Sequence, residues 1–148
     1  MITALPPAGK RRIFPTKNSG HSGVTYIFRE KSMTGQFVEI RDYTIEPQWW
    51  DAYKKWLIED GAPCLKRKFD IIDFWISGDI EAEVSGSDPK PSPHGQPQVC
   101  WIIRWENKAA RDAGFVGLMK DEEWQAVWAK HPNPNAYLQM NGRFMESV

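Results

Sequence analysis

One stretch of the sequence decides the fold: FVEIRDYTIEPQWWDAYKKWLIED, residues 37–60. Its first nine residues alternate in side-chain character and are followed by Glu46, which predicts a strand over residues 37–45. Pro47 suits the first turn of a helix, because an N–H there would have no intrahelical partner. The apolar side chains that follow recur at helical spacing and form one stripe, made of Trp49, Tyr53, Trp56 and Leu57. The stretch therefore predicts a β–α unit.

Beyond this unit the chain alternates between helix breakers and apolar runs. Gly61 and Pro63 interrupt the helix, and a short continuation reaches about Lys68. A second strand is predicted over residues 71–77. Residues 85–97, SGSDPKPSPHGQP, contain too much Gly, Pro and Ser for regular structure and predict a long exposed loop.

The second half repeats the strand–helix–strand order. Residues 98–105 predict a third strand and residues 137–145 the last one. Between them, Asn107 is placed to cap a helix, and Asp121 is placed to cap a second one whose first turn is acidic. A His-Pro-Asn-Pro sequence at 131–134 stops the second helix. The first helix carries apolar residues on one side, namely Ala109, Ala113, Val116 and Met119.

The order β-α-β-β-α-β predicts an α+β protein of ferredoxin-like βαββαβ topology, with an antiparallel four-stranded sheet and two helices on one face. We assign this domain to residues 37–148. Residues 1–36 form an N-terminal extension, in which residues 24–28 have strand composition and can add an edge strand. The helices leave the other sheet face bare, so that face must meet water or a partner.

Bulk composition excludes several classes of function. The formal net charge of the 148 residues is zero, so we expect neither a nucleic-acid partner nor an anionic membrane partner. No apolar run approaches the ~20 residues that a membrane-spanning helix needs. Cys64 and Cys100 lack CxxC spacing, which predicts reduced thiols in a cytoplasmic protein. Eight tryptophans predict an aromatic core, interface or pocket.

Alternation divides the strand residues into two sets, one for each face of the sheet. The set predicted to lie under the helices is almost wholly apolar: Val38, Ile40, Ile72, Phe74, Ile76, Cys100, Ile102, Leu138, Met140 and Phe144. The set predicted to lie on the uncovered face mixes aromatic and ionic side chains: Glu39, Arg41, Tyr43, Asp73, Trp75, Trp101, Ile103, Trp105, Gln139, Asn141 and Arg143.

The second set allows two interpretations. Aromatic walls with a few polar groups are typical of a ligand cavity, and exposing so much apolar surface to water is unfavourable by roughly 25 cal/mol per Å². The alternative is a homodimer interface with satisfied ion pairs, such as one between Glu39 and Arg41. Both interpretations hold if two such sheets face each other and enclose a cavity.

Four short motifs, in this order, resemble the NIPSNAP family. They are VEIRDYTI at 38–45, DFW at 73–75, IRWE at 103–106 and DEEWQA at 121–126. The similarity covers about residues 37–146. It implies a dimeric α+β barrel, a superfamily that includes cofactor-free monooxygenases and isomerases. The positions that the resemblance places toward the barrel are Glu39, Arg41, Tyr43, Trp75 and Trp105.

The chain departs from the family pattern at several places. Trp101 stands where related sequences often have a His, and Ile103 replaces a Trp-like residue. The loop at 78–97 is longer than usual, and the N-terminal arm is additional. These departures argue against His-dependent chemistry and indicate a remodelled pocket mouth.

The histidines do not predict a metal site, and we expect no cofactor. His21, His94 and His131 lie in the arm, in the loop and at a helix end, without HxxxH or HExxH spacing. His131 is predicted to be a helix C-terminal residue, where a positive charge is favoured.

General acid–base chemistry is the enzymatic hypothesis that the residues favour. Desolvation by indoles is expected to raise the pKa of Asp73 and Glu39. Arg41 or Arg143 can hold a carboxylate or a developing enolate, and Tyr43 can donate a hydrogen bond. The remaining uncovered residues would bind the substrate: Trp75, Trp101, Ile103, Trp105, Gln139, Asn141 and Arg143.

Such a site suits a cofactor-independent isomerase, cyclase, lyase or monooxygenase that acts on an aromatic or conjugated acid. The alternative is a non-catalytic homodimer that binds a ligand or a protein partner, in which Asp73 pairs with an arginine across the barrel.

Overall fold

The computed structural model describes residues 12–17, 24–29 and 36–148. The two short ranges are the antiparallel strands β1 (Arg12–Lys17) and β2 (Val24–Arg29), which pair with each other in a two-stranded sheet. The strand predicted over residues 24–28 is thus present, but β1 rather than the main sheet is its hydrogen-bonded neighbour. The rest of the predicted extension up to residue 35 lies outside the described residues.

Strand β3 (Phe37–Ile45) begins the main sheet and has the predicted bounds. Pro47 starts a helical turn as expected, since it occupies the first position of a 3₁₀ segment, Pro47–Trp49. The N–H of Glu46 donates to the carbonyl of Ala136 at 2.8 Å, which fixes the chain where it leaves the sheet.

A continuous helical column follows. After the 3₁₀ segment it consists of α1 (Trp50–Trp56), a π-helical turn (Leu57–Gly61) and α2 (Ala62–Lys68). The predicted interruption at Gly61 and Pro63 is therefore only a wider turn. A π turn relieves the clash that proline makes with an α-helical backbone. Gly61 is needed for close packing, because a Cβ there would lie 3.1 Å from the Trp56 ring.

Strands β4 (Ile71–Ile76) and β5 (Val99–Trp105) also occur close to the predicted bounds. Residues 77–98, which join them, contain neither helix nor strand. The Gly- and Pro-rich composition had predicted an irregular loop for most of this range. The loop is closed at its base, because the N–H of Ser77 donates to the carbonyl of Gln98 at 2.9 Å.

Helices α3 (Lys108–Lys120) and α4 (Glu122–Trp128) begin at the two predicted caps, and β6 (Tyr137–Glu146) follows them. The side chain of Asn107 accepts from the N–H of Ala110, and that of Asp121 from the N–H of Trp124, both at 2.8 Å. Each bond satisfies one of the free N–H groups of a first helical turn.

The predicted apolar side of α3 was wrong. Ala109, Ala113, Val116 and Met119 all lie on the exposed side of the helix. The inward stripe is instead Arg111, Phe115 and Leu118, at i, i+4 and i+7. Arg111 had not been predicted to be a core-facing residue. It faces the sheet because its guanidinium group pairs with Glu39 there.

The four main strands are ordered β4-β5-β3-β6 and every neighbouring pair is antiparallel. Each strand–helix–strand segment therefore skips over one intervening strand, which is the ferredoxin-like arrangement that the element order predicted. The fold is α+β and ferredoxin-like. No helix in the part of the chain that the structure describes is long and apolar enough to cross a membrane.

The predicted division of strand residues between the two sheet faces was wrong in part. We call the helix-covered side the inner face and the other side the outer face. Arg111 of α3 bonds to Glu39, so Glu39, Arg41 and Tyr43 lie on the inner face. Their partners on β5 share that face, namely Val99, Trp101 and Ile103, and so does Trp105. The prediction had placed this set on the uncovered side.

The other half of the predicted uncovered set does lie on the outer face. Trp75 pairs with Cys100, which pairs with Asp42. The β6 residues Gln139, Asn141 and Arg143 lie on the outer face too, since they pair with Thr44, Asp42 and Ile40. Trp75 and Arg41 therefore point to opposite sides of the sheet. Alternation tells which residues of one strand share a face, but it does not tell which face of the next strand matches it. The bulge between Ile71 and Asp73 and the unknown register between strands therefore led to residues of opposite faces being grouped together.

The predicted core set divides in the same way. Phe74, Ile76, Met140 and Phe144 belong to the inner face, because each pairs with an inner-face residue. Val38, Ile40, Cys100 and Ile102 lie on the outer face. Ile72 and Leu138 fall where the register shifts.

Candidate functional site

A buried carboxylate organises the inner face. Glu39 has no solvent exposure and accepts four hydrogen bonds. Arg111 donates two of them, from Nε at 3.0 Å and from Nη2 at 2.9 Å. Arg41 donates from Nη1 at 2.8 Å, and Trp105 from its indole nitrogen at 3.0 Å. We call Glu39, Arg41, Tyr43, Trp101, Trp105 and Arg111 the arginine cluster.

The environment of Glu39 keeps it ionised. Burial alone would raise the pKa of this carboxyl, but the hydrogen bonds and charges of Arg111 and Arg41, with the Trp105 indole, outweigh it and lower the pKa. The predicted upward shift was therefore wrong for Glu39. A carboxylate whose lone pairs already accept four donors is a poor proton acceptor, and its role here is to hold the two arginines.

Arg41 is only partly used by its neighbours. Its Nε donates to the hydroxyl of Tyr43 at 2.7 Å, and its guanidinium carbon lies 5.2 Å from the Phe115 ring and 5.5 Å from the Trp101 ring. No described residue forms a hydrogen bond with its Nη2. The side chain is 22% exposed. Arg41 is therefore charged, aligned by aromatic rings and able to donate to a ligand.

Trp101 carries the most informative polar atom of the cluster. Its side chain is buried and stacks on Phe74 at 5.0 Å, yet its indole nitrogen has no hydrogen-bond partner among the described residues. A buried donor without an acceptor is unfavourable by about 1–3 kcal/mol. Such groups are rare in native proteins, so this N–H indicates an acceptor that a ligand or a water would supply.

Tyr43 adds a neutral hydroxyl beside these donors. Burial raises the pKa of its phenol, while the charge and hydrogen bond of Arg41 and the nearby Trp101 indole oppose the rise. The indole lies near the hydroxyl, but its nitrogen forms no hydrogen bond with any described residue. Because the phenol stays protonated, it can donate a hydrogen bond to a bound acceptor.

The cluster is open on the side of β6. Gly142 pairs with Arg41 across the ladder, between Met140 and Phe144, which are 58% and 56% exposed. A Cβ on Gly142 would lie 3.8 Å from Oε1 of Glu39, an ordinary contact distance, so the space above Gly142 is open and a larger side chain would fill it. We call this opening the Gly142 notch. Through this opening the arginines could be approached from the edge of the sheet.

The charge balance of the cluster is positive. Arg41 and Arg111 contribute two positive charges and Glu39 one negative charge. At the surface, Asp112 contacts Arg111 at 3.2 Å and Lys108 at 2.6 Å. The exposed negative charge of Asp112 and the exposed positive charge of Lys108 offset each other. A site with one net positive charge, several free donors and aromatic walls suits an anion with an apolar body.

Asp73 lies outside the cluster. It occupies the edge strand β4, where its half-exposed carboxylate pairs with Lys66 at 2.7 Å. The hydrogen bond from Lys66, with that from the N–H of Phe74, lowers its pKa. The predicted upward shift was thus wrong for Asp73 as well, and its partner is a lysine of the same chain.

The other predicted site residues are divided between the faces. Ile103 is buried on the inner face and Trp105 binds Glu39. Trp75, Gln139, Asn141 and Arg143 lie on the outer face, away from Arg41. There Gln139 donates to Asn141 at 3.1 Å. Arg143 donates to one oxygen of Asp42, from Nη2 at 2.8 Å and from Nε at 3.1 Å.

His131 is a buried neutral residue rather than an exposed cation. Burial lowers its pKa to about 4. The ring lies 4.4 Å from that of Trp56 and 4.5 Å from that of Trp128, and its Nε2 bonds to the Tyr137 hydroxyl at 2.8 Å. The predicted favourable charge at a helix end was therefore wrong. Among the described residues no group of three or more His, Cys, Asp or Glu could hold a metal.

Two surface clefts flank the sheet. One, of about 210 Å³, lies at the outer face and is lined by Asp42, Trp75, Ile76, Ser77, Gln96, Pro97 and Cys100. The other, of about 310 Å³, is lined by Lys68, Phe69, Trp105, Gly114, Gly117, Leu118 and Asp121. The second shares Trp105 with the arginine cluster. Its one cation, Lys68, is already paired with Asp121 at 2.9 Å, whereas Arg41 in the cluster keeps an Nη2 group that no described residue uses.

Two members of the site were missed from the sequence. Arg111 and Gly142 lie on α3 and β6, far from Glu39 in the chain. The spacing of Arg111, Phe115 and Leu118 gave a signal for an inward arginine. Nothing in the sequence indicated that Gly142 would face Arg41, since that depends on the register of β6.

Comparison with solved structures identifies the fold. A NIPSNAP family protein from Agrobacterium tumefaciens superposes with a TM-score of 0.58 at 18% identity, over 76% of this chain and 86% of that protein. A second one from the same organism gives 0.57 at 17%, over 76% and 88%. The chain has the NIPSNAP fold. A NIPSNAP-like domain protein from Burkholderia xenovorans agrees, with a TM-score of 0.54 at 16% identity, over 76% and 85%.

These similarities confirm the resemblance that the four motifs had indicated. At 16–18% identity they establish the NIPSNAP fold and leave the activity open. No protein-family model and no curated protein matches the sequence. The function must therefore be argued from the site itself.

Proposed function

We propose that this protein binds a small organic anion at the arginine cluster. The observation that carries the proposal is the buried indole N–H of Trp101, which lacks an acceptor and lies beside an arginine with unused donors. A ligand oxygen placed between them would satisfy the orphaned donor and meet the positive charge of Arg41.

The chemistry of the ligand follows from the groups that are free. Arg41, Trp101 and Tyr43 offer donors, while the carboxylate within the arginine cluster, that of Glu39, is saturated by four donors. The ligand must therefore present acceptor oxygens, as a carboxylate or an enolate does. Aromatic rings border the cluster, which favours a flat, apolar body. An aromatic or conjugated acid has both properties.

A cofactor-independent enzyme is the second candidate. The neutral Tyr43 hydroxyl, already bonded to Arg41, could donate to the oxygen of a developing enolate while the guanidinium balances its charge. Isomerase, cyclase, lyase or monooxygenase chemistry would fit such stabilisation. Neither Glu39 nor Asp73 is free to accept the proton, so a second substrate group or water must do so. Turnover of a bound acid would favour this candidate over simple binding.

A homodimer that forms through the outer face is part of the proposal. Trp75 is 44% exposed there, beside partly buried Ile40 and Ile102. A second copy would remove this apolar surface from water. Sedimentation equilibrium at micromolar concentration tests it: the wild type should be dimeric and Ile102→Lys monomeric. A monomeric wild type would contradict the dimer without affecting the arginine cluster.

The free thiols of Cys64 and Cys100 fit a cytoplasmic location.

The Gly142 notch provides the test of anion binding. Gly142 has no positive φ, so a β-branched residue fits its backbone. Titration of tryptophan fluorescence with aromatic and enoyl acids should show saturable quenching for the wild type. Gly142→Ile should weaken it by about tenfold or more, because the new side chain fills the notch.

Asn141→Ile is the matched control. It adds the same side chain to the neighbouring position of β6, where it points to the outer face, and should leave the affinity nearly unchanged. Equal affinity for wild type and Gly142→Ile would show that anions do not enter over Gly142. A wild type that binds none of the acids would contradict the proposed function altogether.

A further inference from the structure

Building on the proposed anion binding, we infer that Glu39 and Arg111 set the charge of the ligand, so that the site selects a monoanion over both a neutral molecule and a dianion. The inference concerns specificity and deepens the function proposed above. It rests on the position of Glu39 relative to the two arginines and to the Gly142 notch.

The two arginines compete for one carboxylate. Oxygen Oε1 of Glu39 accepts from Arg41 at 2.8 Å and from Arg111 at 2.9 Å, so both guanidinium groups lie against the same atom. Glu39 neutralises one of them and leaves one positive charge to be balanced. A single ligand carboxylate beside Arg41 completes that balance, while a neutral ligand of the same shape leaves it unmet.

Glu39 also lies directly beneath the entrance. A side-chain carbon on Gly142 would be 3.8 Å from Oε1, so a ligand group that occupies the notch comes close to the Glu39 carboxylate. A second negative charge on the ligand would therefore meet a like charge at short range, in a partly buried site where solvent screens weakly. This repulsion is what disfavours a dianion.

Other charges do not alter this balance. On α3, Asp112 contacts Arg111 at 3.2 Å but also pairs with the exposed Lys108 at 2.6 Å, whose positive charge offsets that of Asp112. Asp42 and Arg143 pair on the outer face, with the sheet between them and the cluster. Tyr43 is held as a neutral phenol. The selectivity should therefore change most when Glu39, Arg41 or Arg111 is changed.

The test uses three probes that share a benzene ring: benzamide, benzoate and phthalate. At pH 8 and fixed ionic strength they carry no charge, one negative charge and two adjacent negative charges. Their affinities are measured by calorimetry for the wild type. Benzoate should bind about tenfold or more tightly than either of the others.

Two variants should shift this preference in opposite directions. Arg111→Gln leaves the cluster neutral, so benzoate should lose its advantage over benzamide. Glu39→Gln leaves two positive charges, so phthalate should bind more tightly than benzoate. Arg111 is partly exposed and water can replace its donors, so Arg111→Gln remains informative if Glu39→Gln does not fold. Arg111→Lys keeps the charge and should keep the preference for benzoate.

The outcomes separate the two proposals. If the wild type binds none of the probes, the anion site itself is contradicted. If benzoate binds but Arg111→Gln leaves the ratio of benzoate to benzamide affinity unchanged, the anion site stands and charge selection is overturned. A wild type that prefers phthalate to benzoate would overturn charge selection as well.

Discussion

Each face of the sheet holds a carboxylate paired with arginine, but the two pairs differ in burial and in charge balance. On the inner face, Glu39 is fully buried and accepts four hydrogen bonds from three side chains. On the outer face, one oxygen of Asp42 accepts from a single arginine, Arg143, whose side chain is half exposed. The inner network has excess positive charge, whereas the outer pair is balanced.

This difference indicates which face is the better candidate for ligand binding. A balanced, partly exposed pair among apolar side chains is compatible with an interface, where each charge already has its partner. A buried network with excess charge and a free donor is incomplete by itself. An anion would complete it, which is why we propose the binding site between sheet and helices rather than on the open side of the sheet.

The largest expected effect is a loss of folding stability when the inner-face carboxylate is removed, compared with removal of the outer-face carboxylate. Glu39→Ala leaves two guanidinium groups and an indole N–H without their buried acceptor, and should lower the free energy of unfolding by about 3–5 kcal/mol. Asp42→Ala frees an arginine that can reach water, and should cost about 1 kcal/mol or less. Urea denaturation monitored by fluorescence measures both. Similar losses for the two variants would show that the inner network is not the stronger one.

A smaller loss of stability is expected when the pH is lowered, because a titratable side chain, that of His131, is buried beneath the helices. The lowered pKa of His131, about 4 against an ordinary 6.5, means that the unfolded chain takes up the proton first as the pH falls. Its contribution to stability is complete above pH 6.5 and is lost as the pH falls toward 4. The loss should be roughly 2–3 kcal/mol. The lowered pKa of Glu39 adds a further loss below pH 4.5.

Urea denaturation at several pH values between 7 and 4.5 checks this. The wild type should lose stability over that range, and His131→Gln should show a much flatter dependence. Substitution of His94, which lies in the exposed loop, is the control and should leave the slope in place. A steep slope that persists in His131→Gln would assign the acid sensitivity to another group.

The sequence predicted the elements well because their signals are local. Pro47 at a helix start, the caps at Asn107 and Asp121, and the Gly- and Pro-rich loop each act within a few residues, and all were found where expected. The order of elements then fixed the ferredoxin-like topology. The four motifs were sufficient to indicate the NIPSNAP fold, which the solved structures confirm.

The faces could not be predicted in the same way. Strands β3 and β5 carry large side chains on both sides, so polarity alone did not say which side the helices cover. Glu39 looked unsuited to a core because its ion-pair partners, Arg41 and Arg111, come from the same strand and from a distant helix. A buried ion network reverses the usual rule that polar residues face outward, and only tertiary contacts reveal it.

The smallest expected effect concerns the long loop, and it sharpens the contrast between the faces. Gln96 and Pro97 line the cleft on the outer face, together with Trp75. At the base of the loop the N–H of Gln98 donates to the backbone carbonyl of Tyr43 at 2.9 Å, and residues 86–96 form no described hydrogen bond or ion pair with the arginine cluster. Deletion of residues 86–96 should therefore leave benzoate affinity within about twofold of wild type. The melting temperature should change by only a few degrees, since the base of the loop is held by the bond between Ser77 and Gln98.

Calorimetry and thermal unfolding of the deletion variant measure both quantities. The comparison with Gly142→Ile is decisive, because that single side chain should weaken anion binding while the removal of eleven loop residues should not. If the deletion reduced benzoate affinity as strongly as Gly142→Ile, the loop would have to reach the inner face. The anion would then be enclosed by the loop, and the separation of a binding face from an interface face would fail.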